Sequence, residues 1–266
     1  MRKWRAAAKG FIVAVLGVMA FAAPQIAPAG GAKLRLATEA AAPPLNYIGK
    51  DGRLAGFDVD IGNALCKAMT VECKWVIEDW DNLVSGLNQR RYEAIVSSLP
   101  ITGEQQKNVD FTNSYHVMPA AFLGAETLEV LKIDKTTLTD KIIGVEAGSV
   151  HEAFLRDNFA DIAQIKPYDL IAQATLDLVG KRLDLVFGDR IELEYSFLKT
   201  KEGRGFKLVG PSYTDAKWFG AGAGIAVRKG DDALIERLNV ALARIRADGT
   251  YKKINDRYFD FDMYGN

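Results

Sequence analysis

From Lys33 onward, short apolar runs alternate with stretches whose apolar residues recur every three or four positions. The first kind reads as buried strand and the second as helix packed by one face. Leu34 to Ala37 is predicted to be a strand, Asp58 to Met69 a helix, Lys74 to Glu78 a strand, Leu83 to Gln89 a helix and Ala94 to Ser97 a strand. This βαβαβ order predicts parallel strands covered by helices through right-handed crossovers. A second series starts at Ile142-Ile143-Gly144-Val145 and continues with a helix near Val150 to Phe159, a strand near Gln164 to Pro167 and a helix from Ile171 to Lys181. It closes with a strand from Leu183 to Phe187 and a helix from Arg190 to Leu198. Two α/β units of similar size follow one another.

Between them, Phe111 to Gly124 is extended and apolar with one proline, Pro119, and reads as a crossing between lobes. The charged loop Glu126 to Lys141 opens the second unit. Further on, Gly224-Ile225-Ala226-Val227 is a strand, Asp231 to Arg246 a long helix, and Asp248-Gly249-Thr250 the start of a last helix that is expected to rejoin the first unit. The expected lobes are residues 33–116 with 217–266, and residues 120–212. They are expected to bend about the strands near Tyr115 to Pro119 and Ser212 to Asp215. A crevice between two α/β units suits a small molecule, because concave pockets form at strand ends and domain interfaces.

The 266 residues carry 34 Lys and Arg against 34 Asp and Glu, and 48% are hydrophobic, so the chain is an ordinary globular protein able to bury a large core. The balance leaves no basic field to hold a polyanion, which argues against nucleic acid as a partner. Arg2, Lys3, Arg5 and Lys9 precede the apolar run Phe11 to Ala22, and small residues follow at Ala27-Pro28-Ala29. This is the pattern of a secretory signal peptide over residues 1–29. The apolar run of about 12 residues falls short of the ~20 that a spanning helix needs. Removing residues 1–29 leaves 30 cations against 34 acids, a net charge of −4. The mature protein is expected to be free in an extracytoplasmic space. There, Cys66 at a helix end and Cys73 at a strand start read as a disulfide clip or as two buried thiols. His116 and His151 lie far apart and in no ligand-spaced motif, so no metal is expected.

Gly56-Phe57-Asp58-Val59-Asp60-Ile61, Tyr92-Glu93-Ala94-Ile95-Val96-Ser97-Ser98-Leu99, Val109-Asp110-Phe111-Thr112 and Asp248-Gly249-Thr250-Tyr251 carry a resemblance by their order and spacing. Together they resemble the polar amino-acid binding proteins of ABC importers, above all the lysine/arginine/ornithine-, histidine- and opine-binding proteins. The resemblance runs through Tyr258-Phe259-Asp260-Phe261 and includes both cysteines, which form a disulfide in those relatives. It implies an α/β, type II periplasmic binding protein fold of two lobes joined by two crossing strands, with the ligand in the cleft. It further implies a monomeric periplasmic receptor, without cofactor or catalytic residue, that delivers a small cationic amino acid or derivative to an inner-membrane ABC permease. The alternative is an enzyme on the same architecture, similar to cyclohexadienyl dehydratase, with Glu39 and Glu146 as general acid or base. No dedicated constellation for that chemistry stands out.

Residue by residue, the resemblance assigns Glu39 to the ligand's distal cation, Trp80 to its stem, and Ser97, Ser98 and Pro100 to the loop after the third strand. Asp189 is assigned to the α-ammonium, and Ser149 and Val150, with His151 beside them, to the α-carboxylate. Residue chemistry is compatible with this. Ser149-Val150-His151-Glu152 reads as a capping box whose free amides can meet an anion, and Trp80 offers a cation–π face. Read without the resemblance, Ser149 is an ordinary cap, Trp80 a core residue, Glu39 a solvated loop acid and Asp189 a helix cap. Three positions depart from the relatives. Ala42 stands where an aromatic ring is expected, Glu146 adds an acid at a usually apolar position, and Gln105 replaces an arginine that grips the α-carboxylate with two hydrogen bonds. Gln105 also reads as the distal member of a capping box begun by Thr102. The expected ligand is a basic amino acid held weakly at its carboxylate, or a derivative altered at that end.

Overall fold

A computed structural model describes residues 33–128 and 132–265; the expected signal peptide lies outside the described residues. The first sheet runs in the order Glu72–Ile77, Lys33–Thr38, Ala94–Ile95, Ala223–Arg228, Val109–His116. Lys33–Thr38 pairs in parallel with both of its neighbours, whereas Ala223–Arg228 is antiparallel to both of its own. The second sheet repeats the plan with Gln164–Tyr168, Ile142–Glu146, Leu185–Asp189, Ala120–Ala125 and Phe206–Tyr213, and here Ala120–Ala125 is the antiparallel insertion.

The helices follow from apolar spacing. In the helix Phe57–Ala68, Phe57, Ile61 and Leu65 fall one turn apart and are at most 1% exposed. With Asp232–Ala247 and Thr250–Tyr258 this helix encloses a core that includes Leu36, Ile225, Leu238 and Tyr251. The opposite face of the first sheet is closed by Leu83 and Leu87 over Ile95 and Ala226. Val150–Phe159 and Ile171–Val179 cover the second sheet in the same way, through Phe154 and Leu155 on one side and Ala174 and Leu178 on the other. Cys66 and Cys73 are joined as a disulfide, tying the end of the first helix to the strand after it. No helix among the described residues is long and apolar enough to cross a membrane.

Several elements differ from the expectation. Residues 41–55 form a small antiparallel sheet of two- and three-residue strands, too short to show any period. The apolar stretch 111–124 is two strands interrupted at 117–119, and the strand expected near Ser212 to Asp215 is an edge strand that starts earlier, Phe206–Tyr213. The charged loop holds a short helix, Lys135–Leu138, capped by Asp134. The helix expected from Arg190 to Leu198 is a turn, Arg190–Glu192, running into a wider π-helical turn, Leu193–Leu198. Trp218 and Phe219 pack in the second core, and the chain then returns through 220–222 to the strand Ala223–Arg228 of the first sheet. Ile191 and Tyr195, by contrast, pack against the first core.

Gly222 makes that return possible. Its φ is +85°, and a Cβ there would lie 2.4 Å from the His116 carbonyl oxygen and from Ser114 Oγ. Gly52 shares a positive φ of +76° but has open space around it. Gly222→Ala is therefore expected to lower the unfolding free energy by about 2–4 kcal/mol in urea titration, against about 1 kcal/mol for Gly52→Ala, because only the first adds a clash with backbone to the strain.

Candidate functional site

The residues singled out from the sequence gather at the carboxyl ends of parallel strands, where open α/β sheets bind ligands. On the first sheet, Glu39 follows the strand Lys33–Thr38, Trp80 follows Glu72–Ile77, and Ser97 and Ser98 follow Ala94–Ile95. The Glu39 amide donates to Ser97 Oγ at 3.1 Å, and Thr38 Oγ1 lies 3.2 Å from the same oxygen, so two strand ends are stitched together. Burial pushes the Glu39 carboxyl above its ordinary value. Trp80 opens a short 3₁₀ turn, is 42% exposed and stacks on no ring or cation among the described residues. Pro100 bridges to Ala223, the first residue of the returning strand. Gln105 begins another 3₁₀ turn, and its amide donates to Thr102 Oγ1 at 3.2 Å, the first half of the anticipated cap.

On the second sheet, Glu146 ends the strand Ile142–Glu146 and Asp189 ends Leu185–Asp189. Ser149 Oγ donates to the Glu146 carbonyl at 2.7 Å and accepts from the Glu152 amide at 3.1 Å. The capping box is only half formed, because the Glu152 carboxylate takes the Gly148 amide at 2.7 Å instead of that of Ser149, and also holds Arg156. The Val150 and His151 amides at the helix start find no acceptor among the described residues. Val150 is 51% exposed. His151 lies against Phe187 and Phe219 at ring-centre distances of 5.8 and 5.7 Å, and burial pushes its imidazole down to about 4, so it is neutral at pH 7.

Asp189 caps the following turn through the Glu192 amide at 2.9 Å, and burial raises its carboxyl to about 6. Glu192, which sequence reasoning missed, is raised first by burial and then by the charges of Asp189 and Glu146. Its position one turn after Asp189 was the available signal. None of Glu39, Glu146, Asp189 and Glu192 joins an ion pair among the described residues. Arg190, next to Asp189, turns away to Glu194 and Asp260 and lies 3.6 Å from the Phe261 ring centre. No hydrogen bond joins the first-sheet group to the second-sheet group among the described residues.

Two α/β lobes with loops converging from strand ends are the architecture of a type II periplasmic binding protein. The chain belongs to the bacterial extracellular solute-binding proteins, family 3, whose family model matches residues 34–261. It is 44% identical over 256 residues to an L-arginine-binding protein of Pseudomonas aeruginosa, covering 96% of this chain and 98% of that one. It is 34% identical to the lysine/arginine/ornithine-binding periplasmic protein of Escherichia coli, covering 88% and 90%. Among solved structures, a Salmonella typhimurium periplasmic binding protein of high arginine specificity is 28% identical with a TM-score of 0.58, over 86% of this chain and 99% of that one. The fold is also that of the unliganded, open L-cystine receptor of Neisseria gonorrhoeae, with a TM-score of 0.76 at 24% identity, over 89% and 96%.

The Asp189 shift fixes a sign. Its ordinary value is 3.8 and its folded value about 6, so its contribution to stability is complete below 3.8 and is lost as pH rises through about 6. Asn at this position keeps the cap and cannot ionise. Thermal or urea unfolding of the ligand-free protein is expected to find Asp189→Asn indistinguishable from wild type at pH 4. At pH 7.5 it should be more stable by about 1 kcal/mol, a value discounted for partial solvent access.

Proposed function

We propose that this chain is a periplasmic receptor for a cationic amino acid, with L-arginine as its principal ligand, delivering it to an ABC permease as a monomer released from a cleaved signal peptide. The observation that carries this reading is the set of partly desolvated acids at or just after the strand ends of both lobes, Glu39 on one and Asp189 with Glu192 on the other, none paired with a cation among the described residues. Desolvated carboxylates without a partner are costly, and a ligand bearing two positive groups relieves the cost on both lobes at once. The arginine-binding relative at 44% identity supports the choice of ligand, and the curated relatives, being binding proteins, support a receptor over the dehydratase-like alternative.

In this reading Glu39 takes the guanidinium, Trp80 covers the stem and Asp189 takes the α-ammonium. The α-carboxylate is met by the free amides of Val150 and His151 at a helix start, where the dipole favours an anion. Gln105 adds one neutral donor in place of a charged fork. The lobes stand open in the ligand-free form and close by bending at 117–119 and 214–222. Ser97, Ser98, Pro100, Ser149 and Glu146 shape the walls.

Isothermal titration calorimetry with L-arginine, agmatine, L-glutamate and L-leucine tests this. L-Arginine is expected to bind at about micromolar Kd or tighter, and glutamate and leucine not to bind; tight binding of either would overturn the reading. Gln105→Arg is expected to tighten L-arginine by about tenfold and to leave agmatine, which has no carboxylate, unchanged.

A further inference from the structure

Beneath Ser97 and Ser98 lies a sealed polar cluster that the proposed ligand contacts do not use. Asn46, Asp58, Tyr115 and His116 are all 0% exposed. Asp58 accepts from Asn46 Nδ2 at 2.8 Å and from the Tyr115 hydroxyl at 2.7 Å, and Ser98 Oγ lies 2.9 and 3.0 Å from its two oxygens. The same Oγ lies 2.9 Å from His116 Nε2, and His116 Nδ1 lies 2.8 Å from the Val117 carbonyl oxygen. A carbonyl only accepts, so Nδ1 carries a proton, and a neutral ring then leaves Nε2 as a bare acceptor.

Ser98 has one hydroxyl proton but faces two acceptors. With the carboxylate ionised and the ring neutral, one of the two contacts would set lone pair against lone pair in a buried site. One additional proton resolves the conflict. The Asp58 carboxylic acid donates to Ser98 Oγ, and Ser98 donates to His116 Nε2. Asn46 Oδ1, buried with no partner among the described residues, is a second sign that acceptors outnumber protons here.

We infer that Asp58 and His116 hold one proton between them through Ser98, and that this proton fixes the turn presenting Ser97 and Ser98 to the ligand. The turn needs fixing because Ser98 adopts a φ of 50°, a left-handed conformation disfavoured for serine. Its amide is anchored by the Tyr115 hydroxyl at 2.9 Å. Burial favours the carboxylic acid over the imidazolium, raising Asp58 to about 6 and lowering His116 to about 4. The surrounding groups do not alter this. Glu39, from the first loop, raises Asp58 further. On the same helix as Asp58, Asp60 is held by Arg257 and the Tyr258 hydroxyl. From the last helix, Tyr251 donates to the Tyr115 carbonyl, and Asp262 acts on Tyr251.

The positioning of the ligand loop rests on the proposed function, whereas the proton does not, and two measurements separate them. The chain has two histidines, so ¹⁵N-histidine spectra, assigned with His151→Asn, report His116 directly. Between pH 5 and 6, His116 is expected as the Nδ1–H tautomer with an unprotonated Nε2, and infrared difference spectra against Asp58→Asn should show a protonated carboxyl. An Nε2–H ring, or an ionised Asp58 at pH 5.5, would overturn the inference. Ser98→Ala cuts the relay and should shift the His116 Nε2 signal; no shift counts against it.

The second measurement is L-arginine affinity against pH. Ionisation of Glu39 and Asp189 strengthens cation binding as pH rises, whereas loss of the shared proton weakens it. Asp58→Asn keeps a permanent N–H donor toward Ser98, so its affinity relative to wild type should rise about three- to tenfold between pH 5.5 and 8.5, the range of one hydrogen bond. A constant ratio would overturn the positioning role. A wild type that does not bind arginine would sink the proposed function while the spectra still decide the proton.

Discussion

Each sheet is completed by a strand that arrives from the other lobe, and most of what the molecule can do follows from that constraint. Ala120–Ala125 enters the second sheet directly after the outward crossing, and Ala223–Arg228 enters the first directly after the return. Both are hydrogen-bonded on two sides and buried, so the crossings are anchored in the cores. The short link 117–119 between Val109–His116 and Ala120–Ala125 is pinned as well. The Val117 amide donates to the Met263 carbonyl at 2.7 Å and the Arg190 amide to the Pro119 carbonyl at 2.8 Å. The candidate ligand residues sit at those anchors, since Asp189 is paired in register with Ala120 and Pro100 with Ala223.

The charges divide in the same way. Away from the strand ends, several acids are held in ion pairs. Asp177 is held far below the usual carboxylate range by Arg182, the Tyr168 hydroxyl and Lys166, and Glu93 is held down by Arg35. At or just after the strand ends, Glu39, Asp189 and Glu192 are raised by burial and pair with no cation among the described residues. A chain selected only for stability would pair or replace such groups, and retaining them unpaired is the kind of cost that binding sites carry. Arg190 shows the point locally, because the one guanidinium beside Asp189 is spent on Glu194, Asp260 and the Phe261 ring.

Much of the parallel core was legible because buried strands such as Ile142–Glu146 are continuous apolar runs and helices such as Phe57–Ala68 keep a clean period. The two-residue strand Leu54–Ala55 and the edge strand Phe206–Tyr213, broken by Gly210 and Pro211 and largely exposed, carry no such pattern. Of the site, strand-end positions were readable from the resemblance, as at Glu39 and Asp189. The direction of the Ser98 hydroxyl was not. It depends on a left-handed turn and on three side chains, Asp58, Tyr115 and His116, supplied by a helix and a strand far away in sequence. His116 was weighed only as a metal ligand, because spacing along the chain says nothing of a partner met through the fold.

Asp58 and His116 also show how two strong shifts can leave little trace in stability. At their ordinary values of 3.8 and 6.5, the unfolded chain loses the carboxyl proton first. The fold inverts the order, to about 6 and about 4. Singly, Asp58 contributes stability that is lost as pH rises through about 6, and His116 contributes stability that is lost as pH falls through about 4. Between those values both states hold one proton on the pair, on the ring when unfolded and on the acid when folded. The opposing slopes cancel in that window, and folding amounts to moving the proton from imidazole to carboxyl. A neutral acid and a neutral ring are cheaper to bury than a carboxylate and an imidazolium, so the transferred proton lets two ionisable groups sit under the Ser97–Ser98 turn at the cost of ordinary polar ones.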